Sequence, residues 1–199
     1  MNSRHVLAAI FSASLLGSAP DPRGLGRKLH LSTSEAEREL AVLEGRGLVR
    51  TDGGRASLTE KGRKSIRVVF IGGGFEVIHY GHAYTIEKAK SLGEVLVVSV
   101  ARDSTIRKRK GREPLVSEKD RVRLLSALRS VDAAILGVEG DIYVTLQKVS
   151  PDVVALGYDQ YHMEGDIKEE AARRGLNVRV VRLDSPYPDI KTSRLLKEF

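Results

Sequence analysis

Two patterns of hydrophobic and polar positions follow one another along this chain. In the first third, apolar residues recur at helical spacing, as Ala36, Leu40 and Leu43 do in the segment 34–45. Further on, short runs of β-branched and aliphatic residues alternate with amphipathic stretches. The change of pattern predicts two domains, and we place them at residues 1–65 and 66–199.

The first domain is predicted to consist of helices followed by a hairpin. Helices are expected at 4–17, with Val6, Ile10 and Leu15 or Leu16 inward, and at 25–31 and 34–45. An Asp-Gly-Gly-Arg turn at 52–55 then separates two short runs, which is a hairpin pattern. Residues 60–62 are interpreted as a turn. Three helices and a hairpin predict a small winged helix-turn-helix domain, and the string Leu-x-x-Leu-Glu-x-x-Gly-Leu-Val at 40–49 resembles winged-helix regulators.

The second domain alternates predicted strands and helices. Buried strands are expected at 68–71, 95–100, 133–136, 153–156 and 178–183, and helices at 82–92, 117–129, 141–149 and 165–174. This order predicts an α/β fold with a Rossmann-like, doubly wound parallel sheet. Ligands of such sheets bind outside the carboxyl ends of the strands.

Charge and composition narrow the function classes. The chain carries 33 basic and 26 acidic residues, a net charge of +7. Residues 1–66 hold 11 basic and 7 acidic side chains, which favours a polyanionic partner for the N-terminal part. The absence of cysteine excludes disulfides and thiolate chemistry and is compatible with a cytoplasmic location. The apolar stretch 6–11 is short for a signal peptide, and no segment is long enough to span a membrane.

The segment 73–82, Gly-Gly-Phe-Glu-Val-Ile-His-Tyr-Gly-His, carries the strongest chemical information. It lies between a predicted strand and a predicted helix, where glycines let the backbone approach a ligand and the helix start attracts an anion. His79 and His82 are three residues apart, so both rings can face one anion. The segment therefore predicts a phosphate site; the alternative is a pair of core or capping histidines.

This segment resembles the G-T-F-D-x-x-H-x-G-H motif of the nucleotidyltransferase superfamily, which includes cytidylyltransferases, adenylyltransferases and archaeal FAD synthases. The resemblance implies a nucleotidyltransferase fold. Two positions depart from the pattern, Gly74 in place of Thr or Ser and Glu76 in place of Asp. The nucleotide contacts implied by the resemblance fall on Gly73, Gly74, Phe75, His79, Tyr80, Gly81 and His82.

Later segments resemble the archaeal FAD synthases in particular. These are Ala-Arg-Asp-x-Thr at 101–105, Lys-Gly-Arg-x-Pro at 110–114, Val-Asp-x-x-Ile-Leu-Gly at 131–137 and Pro-Asp-Val-Val-Ala-Leu-Gly-Tyr-Asp-Gln at 151–160. The segment 107–114 is interpreted as a mobile basic loop around a phosphate, or alternatively as a solvated loop. The resemblance implies nucleotide contacts from Gly157 and Asp159, although Asp159 could equally cap the next helix.

Three further sets of residues complete the predicted site. Lys110 and Arg102 are predicted to act with His79 and His82 as catalytic groups, whereas Arg121 either reaches the same region or lies on the surface. Near the C-terminus, Lys191, Thr192 and Ser193 resemble the superfamily's second motif, in which hydroxyls at a helix start bind phosphates. Tyr187 lies in a proline-flanked loop that either covers a base or flavin ring or packs as an ordinary loop.

The resemblance implies an enzyme that transfers AMP from ATP to FMN, giving FAD and pyrophosphate, with Mg²⁺ accompanying the triphosphate. One alternative is a cytidylyltransferase that uses CTP and glycerol 3-phosphate or another phosphorylated alcohol. Another is a DNA-binding regulator that senses a nucleotide or flavin. In a DNA complex, Ser32, Thr33, Ser34 and Arg38 would meet the major groove, and Arg50 or Arg55 on the wing would contact phosphates. Alternatively, this domain mediates contacts in a homodimer or only stabilises the enzyme.

Overall fold

A computed structural model describes residues 3–187 together with residue 190. It divides the chain into two compact units, Met1–Arg67 and Val68–Phe199. Each unit has a buried apolar core. Within the described residues, no helix is both long and apolar enough to cross a lipid bilayer.

The first unit has the predicted helices and hairpin. Its elements are α1 (Ser3–Leu15), α2 (Pro22–Leu29), α3 (Thr33–Gly45), β1 (Val49–Asp52), β2 (Arg55–Leu58) and α4 (Glu60–Lys64). The two strands pair in antiparallel register. Val6 and Ile10 are buried as predicted, whereas Leu15 is half-buried and Leu16 is exposed.

Helix α4 replaces the turn that was predicted at residues 60–62. Thr59 caps it, because its hydroxyl oxygen accepts a hydrogen bond from the backbone N–H of Gly62 at 3.0 Å. The backbone of Gly62 lies against the carbonyl of Leu48, where an added Cβ would be 1.9 Å from the oxygen. Only glycine therefore allows α4 to pack at this distance.

The second unit is an α/β domain, in which helices connect the strands of a parallel sheet along the chain. Its elements are β3 (Val68–Gly73), α5 (Tyr80–Lys90), β4 (Val95–Val100), α6 (Asp103–Lys110), α7 (Glu118–Ser126), β5 (Ala133–Leu136), α8 (Ile142–Val149), β6 (Val153–Leu156), α9 (Glu164–Arg173) and β7 (Arg179–Arg182). The strand order is β5-β4-β3-β6-β7, and all pairs are parallel. The predicted parallel sheet is thus confirmed.

The strand order indicates where in the second unit the candidate site lies. Successive crossovers lead from β3 through β4 to β5 on one side, and the chain then returns to β6 on the other side of β3. The order therefore reverses beside β3, and a crevice at the carboxyl ends of β3 and β6 is the expected ligand position. The segment 73–82 leaves β3 at this crevice.

Helix α6 corrects the sequence interpretation of the basic segment. Residues up to Lys110 are helical, so only 111–116 form a loop. Asp103 lies in the first turn and four basic residues lie in the last, which suits the helix dipole, and Gly111 ends the helix with a φ of 65°. The helix was missed because only Ile106 on it is buried, so no apolar stripe marks it.

Candidate active site

The turn after β3 is shaped by an unusual backbone at Phe75. This residue has a φ of 52°, a left-handed conformation that costs energy for a bulky side chain. Its ring is buried against Gly73, where an added Cβ would lie 2.9 Å from two ring carbons. The same ring lies 5.4 Å from that of His82. Phe75 therefore supports the histidine from the core side.

The two histidines stack on each other at the start of α5. Their ring centroids are 3.9 Å apart with the ring planes tilted by 38°, and His79 is the N-cap residue of α5, although its side chain makes no cap hydrogen bond. Gly81 makes this packing possible, because an added Cβ would lie 3.1 Å from Cε1 and 3.2 Å from Nδ1 of His79. The motif spacing thus brings both imidazoles together, as predicted.

The pKa of each imidazole lies below its usual value, which favours the neutral form. Burial lowers the pKa of His79, although the charge of Asp159 opposes this. Burial lowers the pKa of His82 to about 4, together with repulsion from the protonated form of His79 and from Lys110, and against the influence of Asp159. Among the residues that the structure describes, the buried Nδ1 atom of neither histidine has a hydrogen-bond partner. Buried polar atoms without a partner are rare in proteins, and a catalytic role is one of the recognised reasons for them.

Glu76 anchors the basic segment beneath this site. Its side chain is fully buried, and it binds the ammonium group of Lys110 and the guanidinium of Arg112, the latter at 2.8 Å. It also accepts from the N–H of Leu115 at 3.3 Å. Burial alone would raise the pKa of Glu76, but the hydrogen bonds from Arg112, Lys110 and Leu115 lower it to about 2. The Glu76 carboxylate therefore holds two cations beside the turn after β3, and the charge of one of them, Lys110, influences His82.

Arg121 is completely buried, so it does not have the surface position that the sequence also allowed. Its guanidinium donates to the carbonyls of Gly74 at 2.5 Å and Val116 at 2.9 Å, and it pairs with Asp103 at 2.5 Å. Arg121 therefore fixes the turn after β3 to the starts of α6 and α7.

The structure gives Arg102 a different neighbourhood from the one predicted. It pairs with Glu118 at 3.1 Å and lines a groove of about 330 Å³ at the starts of α6 and α7. Within the described residues, no contact joins it to either histidine. Its role as a cationic group in catalysis stays a prediction.

The segment after β6 closes the site on the other side. Asp159 lies near enough to influence the pKa of both histidines. The amide of Gln160 donates to the carbonyl of Gly72 at 2.7 Å, which ties this segment to the end of β3. Gln160 was part of the recognised string, but only the structure shows this bond. Gly157 directly follows β6, and a Cβ added there would make only ordinary contacts with Gln160 and Asp159.

Aromatic side chains flank the site. The ring of Tyr80, with 59% of its surface exposed, meets Tyr187 edge-on at 4.7 Å, and Tyr84 lies 5.9 Å from Tyr187. On the other side, Arg109 at the end of α6 lies over the ring of Tyr161 and donates to its hydroxyl. Helix α6 and the segment after β6 therefore contact each other near the carboxyl end of β3. The predicted Lys191, Thr192 and Ser193 lie outside the described residues.

The residues predicted to bind DNA lie in the first unit. Ser32 caps α3 in a capping box with Glu35, and Arg55 donates to the carbonyl of Ala19 at 3.1 Å. The remaining four are exposed side chains: Thr33, Ser34, Arg38 and Arg50. The exposed surface of α3 also carries several glutamates.

Comparison with known proteins agrees with this geometry. The sequence model of the cytidylyltransferase-like family matches residues 70–198. A crystal structure of a lipopolysaccharide core biosynthesis protein from Thermoplasma volcanium is 41% identical, with a TM-score of 0.58, and the match covers 60% of this chain and 98% of that one.

Comparison with curated proteins identifies more specific relatives within this family. The FAD synthase of Archaeoglobus profundus is 48% identical over 118 residues, which are 59% of this chain and 74% of the relative. That of Thermococcus kodakarensis is 42% identical over 141 residues, which are 69% of this chain and 94% of the relative. The chain therefore belongs to the cytidylyltransferase-like family, in which archaeal FAD synthases are its relatives at 42–48% identity.

Proposed function

We propose that this protein is an FMN adenylyltransferase, which transfers AMP from ATP to FMN and releases pyrophosphate. The observation that carries the proposal is the half-buried histidine pair, whose buried Nδ1 atoms have no hydrogen-bond partner within the described residues. The FAD synthases among its relatives support FMN as the acceptor. Nucleotidyl transfer to a phosphate needs such donors and cations rather than a covalent nucleophile.

The reaction is an in-line displacement at the α-phosphorus of ATP. A phosphate oxygen of FMN forms the new bond, and the bond from the α-phosphorus to the bridging oxygen breaks, so that pyrophosphate leaves with the electron pair. His79 and His82 each donate an N–H to phosphate oxygens, because even the neutral imidazole, which the lowered pKa of both rings favours, carries one such donor. The start of α5 and the cations Lys110 and Arg112 stabilise the developing negative charge.

Mg²⁺ enters this scheme as part of the substrate, MgATP. Within the described residues, no cluster of three or more histidine or carboxylate side chains could hold a metal ion. Mg²⁺ generally keeps several waters and binds substrate phosphates, so a protein cage is not required. We therefore assign no step to a protein-bound metal.

The proposal is tested by supplying the purified protein with four substrate pairs. ATP or CTP is combined with FMN or glycerol 3-phosphate in the presence of Mg²⁺, and pyrophosphate release is followed together with the nucleotide product. ATP with FMN should give FAD and the highest kcat/KM. Preferential turnover of CTP with glycerol 3-phosphate would instead establish the cytidylyltransferase alternative.

For the first unit we propose DNA binding through a winged helix-turn-helix arrangement. The supporting observations are the net charge of +4 in residues 1–66 and the exposed side chains of Thr33, Ser34, Arg38 and Arg50. A gel-shift assay with the DNA upstream of the gene should show a complex that Arg38→Ala plus Arg50→Ala weakens. A protein that shifts no DNA but sediments as a dimer would favour the homodimer interpretation instead.

A further inference from the structure

Arg182, the last residue of β7, has an unusual set of partners. Its guanidinium donates to three backbone carbonyls, those of Gly157 at 3.1 Å, Gln160 at 2.9 Å and His162 at 2.6 Å. It also forms an ion pair with Glu164 at 2.6 Å. All four partners belong to the connection between β6 and α9 or to the first residue of α9.

This connection has little structure of its own. Residues 157–163 form no helix or strand, so their carbonyls lack the partners that a regular element supplies. The five N–H groups of an arginine fork can satisfy several such carbonyls from one point. Arg182 therefore sets the path of the segment from the β7 side, while the bond from Gln160 to Gly72 fixes it to β3.

The path of this segment determines where Asp159 lies. Asp159 is between Gly157 and Gln160, whose carbonyls both bind Arg182, and its charge reaches both histidines. Tyr161, which Arg109 of α6 contacts, lies between two of the clamped carbonyls. Arg182, which lies outside the motif 73–82, thus holds in place the segment after β6 that borders the site.

We infer that Arg182 is a positioning residue for nucleotide binding, acting through the segment 157–164. The inference rests on the proposed function, in which this segment holds the nucleotide. In this scheme Arg182 acts through the segment and not by contact with a substrate. Its loss should loosen the segment and weaken ATP binding without affecting the binding of FMN to the same degree.

The test compares Arg182→Gln and Arg182→Lys with the control Arg174→Gln. Arg174 also forms two ion pairs, with Asp141 and Glu170, each at 2.9 Å, but it holds α8 and α9 rather than the segment. The dissociation constant of α,β-methylene-ATP, which cannot be cleaved at the reacting bond, is measured by calorimetry. Thermal unfolding and the rate of chymotrypsin cleavage at Tyr161 are followed in parallel.

We expect Arg182→Gln to raise this dissociation constant about tenfold or more, and Arg182→Lys by a smaller factor, with faster cleavage at Tyr161 in both. Arg174→Gln should change the constant less than about twofold. In steady state, KM for ATP should rise more than KM for FMN.

An unchanged dissociation constant in folded Arg182→Gln would overturn the inference, as would an equal effect of Arg174→Gln. If Arg182→Gln does not fold, the same comparison is made with Arg182→Lys. A wild-type protein that binds the analogue but forms no FAD would refute the proposed function alone, since the inference is judged on binding. A wild-type protein that binds no nucleotide would refute both.

Discussion

Replacing Glu76 by Gln tests the electrostatic design of the site most sharply. The carboxylate is buried beneath the turn after β3 and binds Lys110, Arg112 and the N–H of Leu115. Gln has nearly the same shape and can still accept hydrogen bonds, but it carries no charge. The substitution therefore removes the charge interaction while disturbing the packing as little as possible.

The lowered pKa of Glu76 gives the expected loss in the free energy of unfolding. Against the cost of burial, its partners lower the pKa from the usual 4.5 to about 2. At about 1.4 kcal/mol for each pKa unit, the native state gains about 3 kcal/mol from the ionised form. Because the folded pKa lies below the unfolded one, this stability is present above pH 4.5 and is lost as the pH falls toward 2.

Urea unfolding at pH 7 measures this quantity, with Glu113→Gln as the matched control. Glu113 lies in the loop 111–116, which also holds Arg112 and Leu115, and it pairs with Arg107 at 3.1 Å, but both side chains are largely exposed. Glu76→Gln should cost about 3 kcal/mol, and the control less than about 1 kcal/mol. The difference between wild type and Glu76→Gln should shrink between pH 4.5 and 2. Equal losses in the two variants would refute the reasoning.

The remaining predictions concern the histidines and Arg121. Gly81→Ala should push the ring of His79 off His82 and lower kcat about tenfold, with a Tm within about 3 °C of wild type; an unchanged kcat would show that the close packing is not needed. Because the folded pKa of His82 is about 4, below its usual 6.5, stability should fall as the pH drops from 6.5 toward 4. His82→Asn should flatten this part of the stability curve, and identical slopes would contradict the prediction. Arg121→Met leaves the Gly74 carbonyl and Asp103 without their buried partner and should cost about 3 kcal/mol in urea unfolding; a wild-type midpoint would contradict this account.

The sequence predicted those parts of the fold that apolar patterns mark. Strands β4, β5 and β6 have the predicted bounds, because their residues form continuous apolar runs. Helix α6 was missed, because its surface is almost entirely charged. Helix α4 was missed because it is a single short turn whose glycine suggested a loop.

The sequence predicted the positions of those site residues that their spacing along the chain alone brings together. His79 and His82 lie together because they are three residues apart at a helix start. The roles of Glu76, Arg121 and Gln160 depend on contacts across 39, 47 and 88 positions of the chain, which no local pattern encodes. An arginine with no exposed surface, such as Arg121, also contradicts the usual preference of that residue. Such long-range partners emerge only from the folded chain.

The central claim, that the histidine pair catalyses adenylyl transfer to FMN, is tested most directly by FAD formation. Wild type and His82→Ala are incubated with MgATP and FMN, and FAD is separated from FMN and quantified. The account predicts rapid FAD formation by wild type and a turnover lowered by about two orders of magnitude or more in a folded His82→Ala variant. Wild-type turnover in that variant, or no FAD from wild type, would contradict it.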